Sequence, residues 1–525
     1  MSLDELLYNL HFNIDEVISK NKEVDWDQAP LPYKLYRELP VVPLSLEVPL
    51  TLEDRREPVK PDLRTIGHFL WYIFGHTQYC QTVNEMDSTE NTANFIQSYR
   101  RFVPSGGALY PNEIYVYLKL EDLPAGVYHY DLAHHRLVLL RKGNFDTYIA
   151  QALGNRTDVS TCFGTVFIST IFRKNFFKYN NFSYRLQGLD AGVLLGQLLE
   201  VAKNFGYASG VYYQFLDRAI NHLLGLSEQE ESVYVVIPLT VEPTNWSTSR
   251  GEIEKNFTTT DLCGELPALQ EHEYGGSKRT SEYPLLTKIN EASMIDSINV
   301  FRKVETKENI GYDSEAVALP YVERLSFDLA TASRERFSPG MDFVLGKVSQ
   351  SQLATLLQEA ANCFPYRNDL ENAFEKTESR VSLNVCLYNV EGIPDGAYSY
   401  DSASHLLRKI ELGDYRLQLQ NGMSGYNVNL LQVPICLHVI GDKEHLKKVF
   451  GYRGYRIQQM EAGVFVQRLL LIASSLGFGG HPLLGFDAKT SDAIYKIDSK
   501  GKTSLIQIPI GPYRNRPWLR GSLRS

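Results

Sequence analysis

Tyr184–Gly206 reads YRLQGLDAGVLLGQLLEVAKNFG, and it returns near the C-terminus as Tyr455–Gly477, YRIQQMEAGVFVQRLLLIASSLG. Ten of the 23 aligned positions are identical: Tyr, Arg, Gln, Ala, Gly, Val, Leu, Leu, Ala and Gly. Each copy is apolar almost all round, the pattern of a helix covered by protein on every side. In each, an acidic-Ala-Gly step near the start permits close approach of another backbone, because glycine has no Cβ. One chain with two such helices can pack them against each other, which predicts a fused pseudo-dimer.

The flanking elements repeat in the same order. LPAGVYHYD (Leu123 to Asp131) matches IPDGAYSYD (Ile393 to Asp401), and HRLVLLRKGNF matches HLLRKIELGDY. CFGTVFISTIF and LLQVPICLHVIG read as buried strands, and SVYVVIPL and TSLIQIPIG as final strands. An offset close to 270 residues across five elements marks an internal duplication. Each unit mixes strands and helices, so the expected class is α+β, with two tandem sheet-and-helix units. The boundaries follow: residues 1–60 a wrapping segment, 61–244 the first unit, 245–318 a polar linker or lid, and 319–525 the second unit. Helices are expected at Leu3 to Leu10 and Gly67 to Gly75. The proline-punctuated stretch PLPYKLYRELPVVPLSLEVPL cannot be a central strand.

With 525 residues, 43% hydrophobic and 22% charged, the chain has core enough for two or more domains. A net charge of −9 argues against nucleic acid or an anionic membrane as the main partner. The acidic N-terminus, MSLDELLYNLHF, has no signal-peptide pattern, and no apolar run reaches the ~18 residues of a membrane span. Six scattered cysteines form no CxxC or Cys/His cluster, which points away from a disulfide framework or metal site and towards a reducing cytoplasm. No histidines fall at metal-ligand spacing; His129, His134 and His135 are expected at strand ends, facing solvent. The acidic residues show no catalytic pairing.

Three stretches carry a resemblance: RRFVPSGGALYPNEIYVY (Arg100 to Tyr117), LPAGVYHYD, and FFKYNNFSYRLQGLDAG (Phe176 to Gly192). Together they resemble the SagB-type azoline dehydrogenases, a branch of the FMN-dependent nitroreductase-like family, and the tandem layout resembles the stand-alone cyanobactin oxidases. The resemblance implies nitroreductase-like units that dimerise around the long helix, with FMN at their interface. It implies oxidation of thiazolines and oxazolines in ribosomally made peptides to thiazoles and oxazoles, with hydride passing to flavin N5 and molecular oxygen as acceptor. Partners would be an azoline-containing peptide and other peptide-maturation enzymes, with a further homodimer open. An NAD(P)H-dependent nitroreductase or quinone reductase, and a flavin-free peptide-docking scaffold, are the rival readings.

The candidate residues divide between the halves. Pro104, Ser105, Gly106 and Gly107 form a loop whose backbone can lie close to a planar ring while its hydroxyl and amides offer hydrogen bonds. Ser333, Arg334 and Arg336 resemble the family's motif for the FMN phosphate and ribityl chain, a task suited to the planar fork of arginine. Arg514 and Arg516 follow the last strand, where the family places basic phosphate ligands. Gly477, Phe478, Gly479 and Gly480 form the turn that, in the family, brings an amide near flavin N5. Lys178 and Tyr179 are the expected catalytic pair. A tyrosine is a poor base at neutral pH unless a cation lowers its pKa, and the adjacent lysine could do so or could stabilise charge on the flavin. The aligned residues in the second half are Val449 and Phe450, and the Pro-Ser-Gly-Gly loop is lost there too. Each half thus keeps what the other lacks, which predicts one FMN site per chain.

Overall fold

A computed structural model describes residues 1–18, 24, 26, 29–52, 58–84, 94–242, 246, 257–269, 282–304, 315–362, 366–371, 379–515 and 519–522. Two helices run through its centre, Ser183–Phe205 and Arg453–Ser475, here called the first and second central helices. They cross at the glycines of the acidic-Ala-Gly steps. A Cβ on Gly192 would lie 2.1 Å from the Met460 carbonyl oxygen, and one on Gly463 would lie 2.3 Å from that of Leu189. Only glycine permits backbones to meet so closely. Tyr184 stacks on Tyr455 at 5.9 Å, and Gln467 donates to Gln197 at 2.7 Å. The repeated Tyr and Gly positions, together with the unrepeated Gln197 and Gln467, therefore form the seam between the halves.

Each half folds one seven-stranded sheet, and the strand order is the same in both. In the first it runs Val41–Pro43, Arg136–Lys142, Leu123–Asp131, Asn112–Leu120, Gly164–Ile171, Glu231–Thr240, Ala208–Ser209. In the second it runs Ala316–Ala318, Leu406–Leu412, Gly396–Asp401, Ser382–Leu387, Ile435–Asp442, Lys502–Gly511, Gly479–Gly480. The proline-rich N-terminal stretch supplies an edge strand, where a missing amide costs no ladder bond. A third sheet pairs Leu519–Ser522 with His76–Asn84, and His76–Asn84 with Asn94–Arg101, so the C-terminus of the second half reaches onto the first.

The helices expected near the N-terminus are Leu3–Phe12, which starts where expected under its Ser2 cap and runs two residues further, and Leu63–Phe74, which starts earlier because Asp62 caps it upstream. Residues 245–318, read as a linker or lid, contain the helices Thr259–Glu265 and Pro284–Ala292. The second of these is tied to the seam: Ser293 bonds Tyr184 at 3.2 Å, and its carbonyl accepts from Arg453. Buried Arg453 and Arg456 both meet Asp217. The histidine expectation needs correction, because His129 and His135 are buried. His129 bonds Glu113 at 3.1 Å and His135 bonds Tyr130 at 2.9 Å, while the second ring nitrogen of each is buried with no hydrogen-bond partner. His134 stays half exposed beside Asp131. Among the described residues, no helix is long and apolar enough to cross a membrane.

Candidate active site

The Pro104–Gly107 loop enters from the strand Asn94–Arg101 and is pinned from three sides. Ser105 Oγ donates to Asp190 Oδ2 at 2.6 Å and accepts from the Tyr110 amide at 2.9 Å. The Gly106 amide donates to both Asp190 oxygens at 3.2 Å. Gly107 has φ +64, and a Cβ there would lie 2.5 Å from the Tyr179 hydroxyl; one on Gly106 would lie 2.8 Å from Leu186. The two glycines thus let Tyr179 and the first central helix close directly on the loop. Loop and tyrosine form one surface.

Tyr179 ends the helix Arg173–Tyr179, where Asn180 takes φ +48 and breaks it. Burial, aided by the charge of Asp190, pushes the Tyr179 hydroxyl up to about 12. Lys178 lies half buried, its ammonium 5.2 Å from the centre of the Tyr179 ring and 5.4 Å from that of Trp26. Burial lowers its pKa. A lysine activating the tyrosine was one expectation, and the geometry differs: the ammonium faces the ring, and the hydroxyl is held neutral. Lys178, whose charge burial opposes, is the better proton acceptor of the two.

The second half supplies the opposite wall. Asp328 caps the helix Leu329–Glu335, from which the Ser333–Arg336 run emerges. Ser333 is buried, donating to Leu329 O at 2.8 Å and accepting from Gln197 at 3.3 Å, so it serves the seam. Arg334 points outward to the carbonyl of Leu50 and to Thr331. Arg336 alone turns in: it is 4% exposed, and its Nε has no hydrogen-bond partner. Burial and the nearby positive Arg100 lower it to about 9, while Tyr110 opposes the shift. Arg100 also donates to the Arg336 carbonyl, which joins this wall to the loop side.

The glycine turn sits behind Arg336. Gly477 has φ +75, the amide of Gly480 donates to Phe337 O at 3.0 Å, and Phe478 is buried. A Cβ on Gly479 would lie 2.2 Å from Pro339, so this residue lets the turn seat against the Arg336–Pro339 segment. His481 follows with its Nδ1 unpartnered; burial, aided by Arg336, lowers it to about 4. Phe337 stacks on Tyr513 at 5.0 Å. Arg514 is exposed, its amide bonded to Asp342 O, and Arg516 lies outside the described residues.

The structure thus brings Pro104–Gly107 and Tyr179 of one half toward Arg336 and the Gly477–Gly480 turn of the other, with the Tyr110 amide on Ser105, the Tyr110 side chain acting electrostatically on Arg336, and Arg100 bonded to the Arg336 carbonyl. It turns Ser333 and Arg334 elsewhere. Reading by pairs missed Asp190, although its place beside an invariant-spaced Ala-Gly in both copies was the available signal. At the pseudo-symmetric position, Glu461 is ion-paired with buried Arg380, which also holds Glu371. Tyr213 and Tyr366 join hydroxyls there at 2.7 Å. The acidic residue of that second location is thus held in an ion-paired cluster.

Residues 72–239 match the profile of the nitroreductase family and form a nitroreductase-family domain. The trifolitoxin-processing protein TfxB of Rhizobium leguminosarum bv. trifolii is 31% identical over 146 residues, 26% of this chain and 39% of that protein. A protein of Methanocaldococcus jannaschii named as a "putative nitroreductase" is 26% identical over 132 residues, 25% of this chain and 64% of its own. The chain therefore spans less than two thirds of either relative. A crystal structure of a "putative nitroreductase" from Anabaena variabilis superposes with a TM-score of 0.72 at 19% identity, covering 98% of this chain and 99% of that one. The fold is that of a nitroreductase, duplicated along one chain.

Proposed function

We propose that this protein is an FMN-dependent oxidase that converts thiazolines or oxazolines in peptides to thiazoles or oxazoles. The observation that carries the reading is Arg336, a buried guanidinium with an unpartnered Nε, set across from a glycine loop under Lys178 and Tyr179. An uncompensated buried cation calls for an anion, and a planar fork suits a phosphate. The glycines at 106 and 107 leave a face free of side chains for a flat ring. These features fit FMN, with Arg336 at the phosphate and the Pro104–Gly107 loop at the ring. The ion pairing of Glu461, the counterpart of Asp190, with Arg380 supports one cofactor per chain. A relative named for trifolitoxin processing adds support for a peptide substrate.

FMN, if bound, would supply the two-electron acceptor for the hydride, with molecular oxygen as the terminal oxidant. The chain's residues manage the rest. Aromatising an azoline also removes a proton from the neighbouring ring carbon, and the Lys178 amine, discharged more readily by burial, accepts it. Neutral Tyr179 donates a hydrogen bond that orients the ring. The purified protein should be yellow and should remove two hydrogens from a thiazoline peptide, read by mass spectrometry. Lys178→Ala should keep flavin and lose turnover about 100-fold or more, the scale of general-base catalysis. Tyr179→Phe should lose less, about 10-fold, the scale of one hydrogen bond. Turnover of nitroarenes with NAD(P)H and none of azolines would replace this reading.

A further inference from the structure

We propose that Asp190 is a positioning residue that sets the hydrogen-bond polarity of Ser105, so that its protonation switches Ser105 between offering an acceptor and offering a donor to the cofactor ring. This rests on the cofactor reading above for its consequence, and on geometry for its mechanism. With Asp190 ionised, both neighbouring donors point at it: Ser105 Oγ–H at 2.6 Å and the Gly106 amide at 3.2 Å. Ser105 Oγ meanwhile accepts from the Tyr110 amide, so its hydrogen is committed and one lone pair remains free. When Asp190 takes up a proton, its O–H can donate to Ser105 Oγ. The hydroxyl then has two incoming donors, and its own hydrogen is released towards the loop face. The loop need not move; one proton reverses one hydrogen bond.

The surroundings make that proton mobile near neutral pH. Asp190 is 4% exposed, and burial raises it to about 7 despite the two hydrogen bonds. Tyr179, facing it from the preceding helix, stays neutral through this range. The loop contributes Ser105 and Gly106, neither of them charged. The acidic counterpart on the second central helix, Glu461, is held by Arg380, so the two copies of the same helix position have diverged. One is a fixed ion-pair member; the other is a titrating group bonded to the proposed cofactor loop.

The test uses Asp190→Asn and Ser105→Ala in the full chain. Asparagine donates from its amide and accepts at its carbonyl, so it imitates the protonated state at every pH. For the cofactor-free protein, a folded pKa above the unfolded value of 3.8 means that ionisation costs stability. The wild type should lose Tm relative to Asp190→Asn as pH rises from 5 through about 7, and Ser105→Ala should retain this titration. A constant Tm difference across that range overturns the proposal. For FMN affinity, read by quenching of flavin fluorescence from pH 5.5 to 8.5, the wild type should shift several-fold with an inflection near 7. Both variants should keep only the change near about pH 6 set by the phosphate's own second ionisation, and an inflection near 7 persisting in either overturns the coupling. No FMN binding to any of the three, with the Tm titration intact, would sink the cofactor reading while supporting the Asp190 proton.

Discussion

Gly192→Val is expected to destabilise the whole chain strongly, an outsized effect for two added methyls and a Cβ on an internal helix. A Cβ at Gly192 would stand 2.1 Å from the Met460 carbonyl oxygen and 2.5 Å from its Cα. Those are backbone atoms of the second central helix, so no side-chain rotation relieves the clash. Overpacking in a core costs about 1–3 kcal/mol when side chains can shift. Here the helices must separate, loosening the Tyr184–Tyr455 stack and the Gln197–Gln467 bond together. The cost should meet or exceed the upper figure. Differential scanning calorimetry would show a lowered or broadened transition, and Gly463→Val should behave alike, since its Cβ meets Leu189 O at 2.3 Å. Gly477→Ala is the control: a Cβ there meets nothing within 4 Å, leaving only the roughly 1 kcal/mol of left-handed backbone at φ +75. Equal Tm for Gly192→Val and wild type would mean that the helices do not cross there.

The same glycines explain why so much of the architecture was legible in the sequence. A buried helix pair must match where its backbones and rings meet, so both copies share the stacked Tyr and the crossing Gly. Register across a duplicated sheet is preserved by the same packing constraint. The site was legible only in part, because its residues answer to partners far away in sequence. Arg334 and Arg336 differ by two positions and look interchangeable as text. One ends a helix facing Leu50 and the other turns beneath Arg100, a distinction made by the wall of the opposite half. Asp190 was hidden for a similar reason. Its partner is a serine 85 positions earlier, so no acidic pair or local motif announced it. The histidines at 129 and 135 misled because strand-end positions ordinarily meet solvent, whereas here the N-terminal segment crosses over the sheet. Lys34 of that segment forms a buried ion pair with Glu231 at 2.5 Å, which holds it down.

Arg336→Leu should weaken binding of FMN, and of free phosphate, while leaving the cofactor-free protein no less stable. The two halves of this expectation have opposite signs for one reason. In the absence of an anion, the guanidinium is buried beside the cation Arg100, with Nε unpartnered, and these conditions lower its pKa to about 9. Removing it relieves desolvation and like-charge repulsion, so apo Tm should hold or rise. With a phosphate bound, the guanidinium would gain charge-assisted hydrogen bonds, each about 1.5–3 kcal/mol, and its loss should cost about 10- to 100-fold in affinity. Titration of FMN fluorescence measures this directly. Thermal shift with inorganic phosphate gives the anion contribution alone: it should raise the Tm of the wild type and leave Arg336→Leu unmoved. Arg334→Leu is the matched comparison, because that side chain faces Leu50 and should leave FMN affinity within about twofold. A lowered apo Tm with undiminished FMN affinity in Arg336→Leu would make the arginine a packing residue and place the anion elsewhere.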